Sequence, residues 1–146
     1  METLTHSKSF RAPVGRVFAM FTGVAQAPTW MQAIKKIEVL RGTGSAVGDR
    51  WRELRRVGGR EQWMEFVVTE CTPDKSWAIE SEAGGTLWTT HFTFAESLGV
   101  TEIAASMQWQ PKGIVLRLFN GMIRRKITEG MEMDCEDLRK ALEEKL

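Results

Sequence analysis

From about Ile34 to Trp109 the chain reads as one strand after another, and from about Gly113 to Leu146 it reads as a single long helix with no second helix to pair with. A lone terminal helix can bury its apolar stripe only against the sheet before it, and a curved sheet gripping one helix leaves a cavity between them. The order of elements therefore points to a container for an apolar ligand.

Leu4 to Arg11 alternate and end at Pro13, as an opening strand would. Val14, Val17, Phe18 and Phe21 then recur at helical spacing up to Gly23, and Val24 to Met31 reads as a second short helix or turn. Strands follow at Lys36–Arg41, Gly48–Val57, Gln62–Glu70, Ser76–Glu82, Thr86–Phe94 and after Gly99 up to Trp109. Hairpin signals at Gly58-Gly59, Thr72-Pro73-Asp74-Lys75, Gly84-Gly85 and Ser97-Leu98-Gly99 join them into an antiparallel meander. In the terminal helix Leu116, Ile123, Ile127, Met131, Leu138, Ala141 and Leu142 share one face, whereas Ile114 to Ile123 is apolar nearly all round. Neighbouring loops cover that extra surface, or it lines a pocket opening. Gly130, inside the helix, marks a bend or a close approach to the sheet.

With 146 residues and no linker, repeat or low-complexity run, residues 1–146 are expected to form one domain. A net charge of +1 gives no reason to expect a nucleic-acid partner. The opening METLTHSKSF has no apolar core of a signal peptide, and no stretch is apolar for long enough to insert stably in a membrane, so the cytosol is the expected compartment. Cys71 and Cys135 have no His neighbours at ligand spacing and read as packing or surface thiols. No P-loop, dinucleotide fingerprint, HExxH or Ser-His-Asp order is present, so neither a metal nor another cofactor is expected.

Strand alternation places Trp51, Met64, Phe66, Trp88, Phe92, Met107 and Trp109 on one face, with Glu53, Arg55 and Thr90 as its polar members. These are the expected ligand wall, joined by Thr90 and, from the helix, by Phe119, Met122 and Ile123. Six tryptophans and no tyrosine supply large rigid rings for a flat ligand, although the same residues could simply fill a core. Glu53, facing an apolar cavity, is the candidate catalytic acid or ligand anchor, or else the ion-pair partner of Arg55. His91 falls on the opposite, solvent face unless a bulge reverses the phase, and His6 lies near the start of the chain. Arg124-Arg125-Lys126, beside the apolar start of the helix, is a solvated surface or a contact for anionic lipid headgroups.

The whole chain resembles the START-like superfamily, in particular its polyketide cyclase/dehydrase and lipid-transport (SRPBCC) branch. Arg11-Ala12-Pro13-Val14-Gly15-Arg16-Val17-Phe18 looks like the family's opening segment, and Val47-Gly48-Asp49-Arg50-Trp51 is similar to the start of its third strand. Val68-Thr69-Glu70 with Pro73 resembles a later strand end, and Asp137 to Glu143 resembles the family's C-terminal ending. The resemblance implies an α+β helix-grip fold, with about seven antiparallel strands wrapped around the long C-terminal helix, two short helices after the first strand, and an enclosed hydrophobic cavity. It implies binding or transport of a lipid-like, polyketide-like or aromatic small molecule, a cyclase/dehydratase using a cavity carboxylate, or a chaperone-interacting module. Relatives of the last kind carry a Gly-Trp near the start of the last helix, where this chain has Lys112-Gly113-Ile114.

Overall fold

The computed structural model describes residues 1–57, 59–83 and 85–143. The turn glycines Gly58 and Gly84 and the side chains of Val57, Val115 and Leu116 lie outside the described residues. Strand β1 (Glu2–Phe10) leads into helix α1 (Val14–Thr22) and a 3₁₀ helix (Val24–Thr29). Six strands follow: β2 (Ile34–Arg41), β3 (Arg50–Val57), β4 (Arg60–Thr72), β5 (Ser76–Ala83), β6 (Thr86–Ser97) and β7 (Val100–Trp109). The chain ends in helices α2 (Gly113–Leu118) and α3 (Asn120–Glu143).

All neighbouring strands run antiparallel, in the order β1-β7-β6-β5-β4-β3-β2. Consecutive hairpins build the sheet from β2 to β7, and β1 completes it beside β7. The one long crossover, from β1 to β2, is made by α1 and the 3₁₀ helix. Pro13 precedes the first turn of α1 with φ −68°, and the helix buries Val17 and Phe18 before stopping at Gly23.

The loop between β2 and β3 folds back on the end of α1. Asp49 Oδ2 accepts the backbone N–H groups of Thr43, Gly44 and Ala46 at 3.0–3.1 Å. Gly44, at φ +110°, lies so close to the Thr22 carbonyl that a Cβ there would sit 2.5 Å from its oxygen. Its own carbonyl accepts the Trp77 indole N–H at 2.8 Å. The Gly48-Asp49-Arg50-Trp51 segment is thus the knot that ties this loop to the sheet.

The single terminal helix expected from periodicity is interrupted at Phe119. Asn120 and Gly121, both poor helix-interior residues, stand at the junction, and Asn120 donates its side-chain amide to Glu2 at 2.6 Å. The apolar spacing passes unbroken through the junction, which is why the break is invisible to it. Strand β2 also begins at Ile34, two residues earlier than its alternation suggests, because an irregularity between Ile34 and Lys36 breaks the period of two.

Candidate functional site

Cross-strand register settles which side chains share the concave face. Trp51 lies opposite Phe66, Phe66 opposite Ser81, Ser81 opposite Trp88, and Trp88 opposite Trp109. The next row runs from Val68 through Ile79, Thr90 and Met107 to Leu4, and the one after from Trp77 through Phe92 and Ala105 to His6. Met64 lies opposite Glu53. Trp51, Met64, Phe66, Trp88, Thr90, Phe92, Met107 and Trp109 therefore belong to one wall, in the phase their alternation sets. His91 belongs to the outer face, where its ring nitrogen lies 2.9 Å from Glu70.

Helix α3 spans this face by tethers at both edges. Toward β1, Arg124 donates to the Thr3 carbonyl at 2.9 Å and to Glu2 at 3.1 Å, and Glu132 meets His6 at 2.8 Å and Lys8 at 3.2 Å. On the far side, Arg55 of β3 donates to Asp134 at 2.5 Å, and Asp137 accepts from the backbone and side chain of Gln32 at 3.0 Å.

The interior so enclosed has two unlike halves. At the α1 end it is sealed: Phe10, Val17, Phe18, Trp77, Phe94, Leu138 and Leu142 form a buried core. Stacked rings continue the seal across the sheet, with Trp51 lying 6.0 Å from Trp77 at an interplanar angle of 5° and 5.6 Å from Phe66. At the other end Trp88 and Met107 of the sheet and Ile123, Ile127 and Met131 of α3 are only half-buried. Gly130 lies on the sheet-facing side of α3 beside Ile127 and Asp134, yet a Cβ placed there would meet nothing within 4 Å. The glycine therefore makes no close approach to the sheet.

Where the two halves meet, Glu53 is 5% exposed. Its Oε1 accepts the Trp51 indole N–H at 3.2 Å and its Oε2 accepts Arg55 at 3.3 Å. Burial raises the Glu53 carboxyl above its ordinary value, outweighing the Arg55 guanidinium and the Trp51 N–H that pull it down. Burial likewise raises Asp134, against the pull of the same guanidinium. Arg55 loses to burial but gains more from its two carboxylates, so it stays firmly cationic. One cation thus serves two acids, and among the described residues Asp134 Oδ1 has no hydrogen-bond partner. Cys135, pushed up to about 11 mainly by burial, is a protonated thiol at neutral pH and a poor nucleophile.

Phe119 and Met122 stand apart from the enclosed wall: they are 50% and 47% exposed at the α2–α3 junction. Ile123 turns inward and is half-buried. Apolar spacing alone does not bring forward Asp134 or His6. The signal for Asp134 was a lone carboxylate on the apolar stripe, four residues before Leu138, and for His6 its alternation with Leu4 and Phe10.

Beyond the Phe66–Ser81 pair, β4 and β5 part, and a gap of about 550 Å³ opens there. Arg50, Glu65, Glu80 and Glu82 rim it, so it is a wet side opening rather than the apolar interior. Among the described residues, no group of three or more His, Cys, Asp or Glu is placed to hold a metal ion. None of their helices is long and apolar enough to cross a membrane.

The same architecture recurs in solved structures. A START superfamily protein from Mycobacterium smegmatis superposes with TM-score 0.81 at 12% identity, covering 99% of each chain. The major latex-like protein 151 of Panax ginseng gives TM-score 0.79 at 8% identity over 97% of each chain. The di-domain ARO/CYC BexL of the BE-7585A biosynthetic pathway gives 0.76 at 15% identity, with 97% of this chain matching 50% of that one. At such identities the likeness establishes the fold, a START helix grip. Comparison with curated protein sequences gives no match. The family model described as polyketide cyclase / dehydrase and lipid transport matches residues 1–143, and with that the chain belongs to this family of the START-like superfamily.

Proposed function

We propose that this protein binds and carries a hydrophobic small molecule, lipid-like, polyketide-like or aromatic, in the cytosol. The ligand lies between the open half of the sheet and α3, against Trp88, Thr90, Met107, Trp109 and Ile123, with Trp51, Met64, Phe66 and Phe92 closing its inner end. The observation that carries this reading is that Trp88 and Met107 of the inner face and Ile123, Ile127 and Met131 of α3, all large apolar side chains, remain only half-buried. Apolar surface left partly exposed is stabilised by an apolar body that covers it, at roughly 25 cal/mol per Å² removed from water. Family membership and the recurrence of the fold support it.

Titration with an apolar naphthalene-type fluorophore tests the reading. One saturable site is expected, weakened at least tenfold by Met107→Glu. Trp63→Ala, on the outer face, is the control and is expected to bind as the wild type does. Equal binding by all three proteins would place the fluorophore elsewhere.

A second reading, a cyclase or dehydratase, is favoured by one observation: Glu53 is a buried inner-face carboxyl with a raised proton affinity. In that case Glu53→Gln keeps ligand affinity and abolishes turnover of a polyketide-type substrate. A carrier has no turnover to lose, so a screen of such substrates with the wild type separates the two readings.

A further inference from the structure

The α2–α3 junction turns four apolar side chains outward within nine residues: Ile114 is 75% exposed, Leu118 74%, Phe119 50% and Met122 47%. Scattered exposed apolar residues need no explanation, but a contiguous set marks a contact surface. The charge around them is one-sided. Between Glu102 and Glu129 the chain has no acidic residue and five basic ones, Lys112, Arg117, Arg124, Arg125 and Lys126. The remainder of the protein then carries fifteen basic residues against nineteen acidic ones, so this end is cationic and the body anionic. Arg125 and Lys126 follow Met122 by three and four residues, which sets their charges beside its thioether on the helix surface. Glu2 is the carboxylate drawn into this region, and it is taken up by Arg124 at 3.1 Å and by Asn120 at 2.6 Å.

We propose that this junction docks the protein on an anionic lipid surface, with Leu118, Phe119 and Met122 entering the headgroup boundary and the flanking arginines and lysine paired with lipid charge. An exposed apolar segment flanked by cations fits a deformable anionic layer. Two copies packed through it would bring their cations together, and the net negative charge of the remainder favours approach to such a layer by this end. The inference stands on the surface itself and goes beyond the ligand reading.

Co-sedimentation with vesicles tests it. The protein is expected to pellet with vesicles of phosphatidylcholine and phosphatidylglycerol, to stay free of phosphatidylcholine alone, and to be released by high salt. The combined Arg117→Glu, Arg125→Glu and Lys126→Glu variant is expected to lose on the order of a hundredfold in partitioning, with its melting temperature and fluorophore binding unchanged. Ile114→Ser with Leu118→Ser keeps every charge and is expected to weaken binding at least tenfold. Equal binding to both vesicle types, or to neither, overturns the proposal. So does a serine pair that binds as the wild type does, which would mean adsorption by charge alone. Concentration-dependent dimers abolished by the serine pair would assign the face to a second copy instead. Vesicle binding by a protein that takes up no fluorophore would leave the docking standing and remove the cargo reading.

Discussion

Arg55 is the side chain on which two buried acids depend. Removing one partner of a buried ion pair strands the other, and here it would strand both Glu53 and Asp134. Both carboxyls already titrate above their ordinary values, so the stability tied to their protonated forms is full below the unfolded value and is lost as pH rises through the folded one. Arg55→Met is therefore expected to cost about 3–5 kcal/mol near neutral pH and visibly less in mild acid, as urea denaturation across that range would reveal. A cost independent of pH would contradict the shared-cation arrangement. Asp49 has the opposite sign. The N–H of Gly44 most of all, with those of Thr43 and Ala46, holds its carboxyl below the usual value, so its contribution is present above that value and disappears as pH falls. Asp49→Ala, which leaves three N–H groups without their acceptor, is expected to cost about 1–3 kcal/mol at neutral pH and to flatten the acid limb of the stability profile. Glu53's pairing with Arg55 was legible in the sequence as one of two alternatives because both lie on one strand at a spacing of two. The Asp134 arm was not, since it joins residues 79 apart and no local pattern reports that distance.

Among the elements, α3 is the one that spans the concave face, and Gly130 is its most informative position. A glycine in a helix interior is costly, and with nothing within 4 Å of its absent Cβ the cost is not recovered by a close contact. Gly130→Ala is expected to raise stability by up to about 1 kcal/mol in thermal or urea unfolding. Gly130→Phe is expected to fold, to fill the open half, and to weaken fluorophore binding at least tenfold. If the phenylalanine variant unfolds while the alanine variant gains nothing, the space beneath the helix is already occupied. The strands were readable because alternation over four or more residues has one phase, and each cross-strand register preserves it from β3 to β7. The bulge between Val68 and Glu70 does not upset the wall, because Val68 still faces Ile79 and Cys71 then faces Trp77. The helix break at Phe119 left no such trace, since apolar residues on both sides keep helical spacing through it.

In the whole molecule the sheet is sealed by a buried core at one end and carries half-buried apolar side chains at the other. α1 and the β2–β3 loop close it with Phe10, Val17, Phe18 and the stacked rings of Trp51 and Trp77, so the sealed half supplies the stability. Tethers from Arg124 and Glu132 to β1 and from Asp134 to β3 then fix α3 across the sheet. The sequence foretold the grip and the face on which each strand residue lies, because strand order and alternation are local properties. How much of the wall is sealed was not legible, since that depends on where the helix rests across the sheet. The most direct test is native mass spectrometry of the gently purified wild type beside Gly130→Phe, followed by solvent extraction of anything bound. The account predicts a defined extra mass on the wild type, of an extractable apolar compound, that is absent from the phenylalanine variant. The same extra mass on both proteins, or a bare wild type that also takes up no fluorophore, would contradict it.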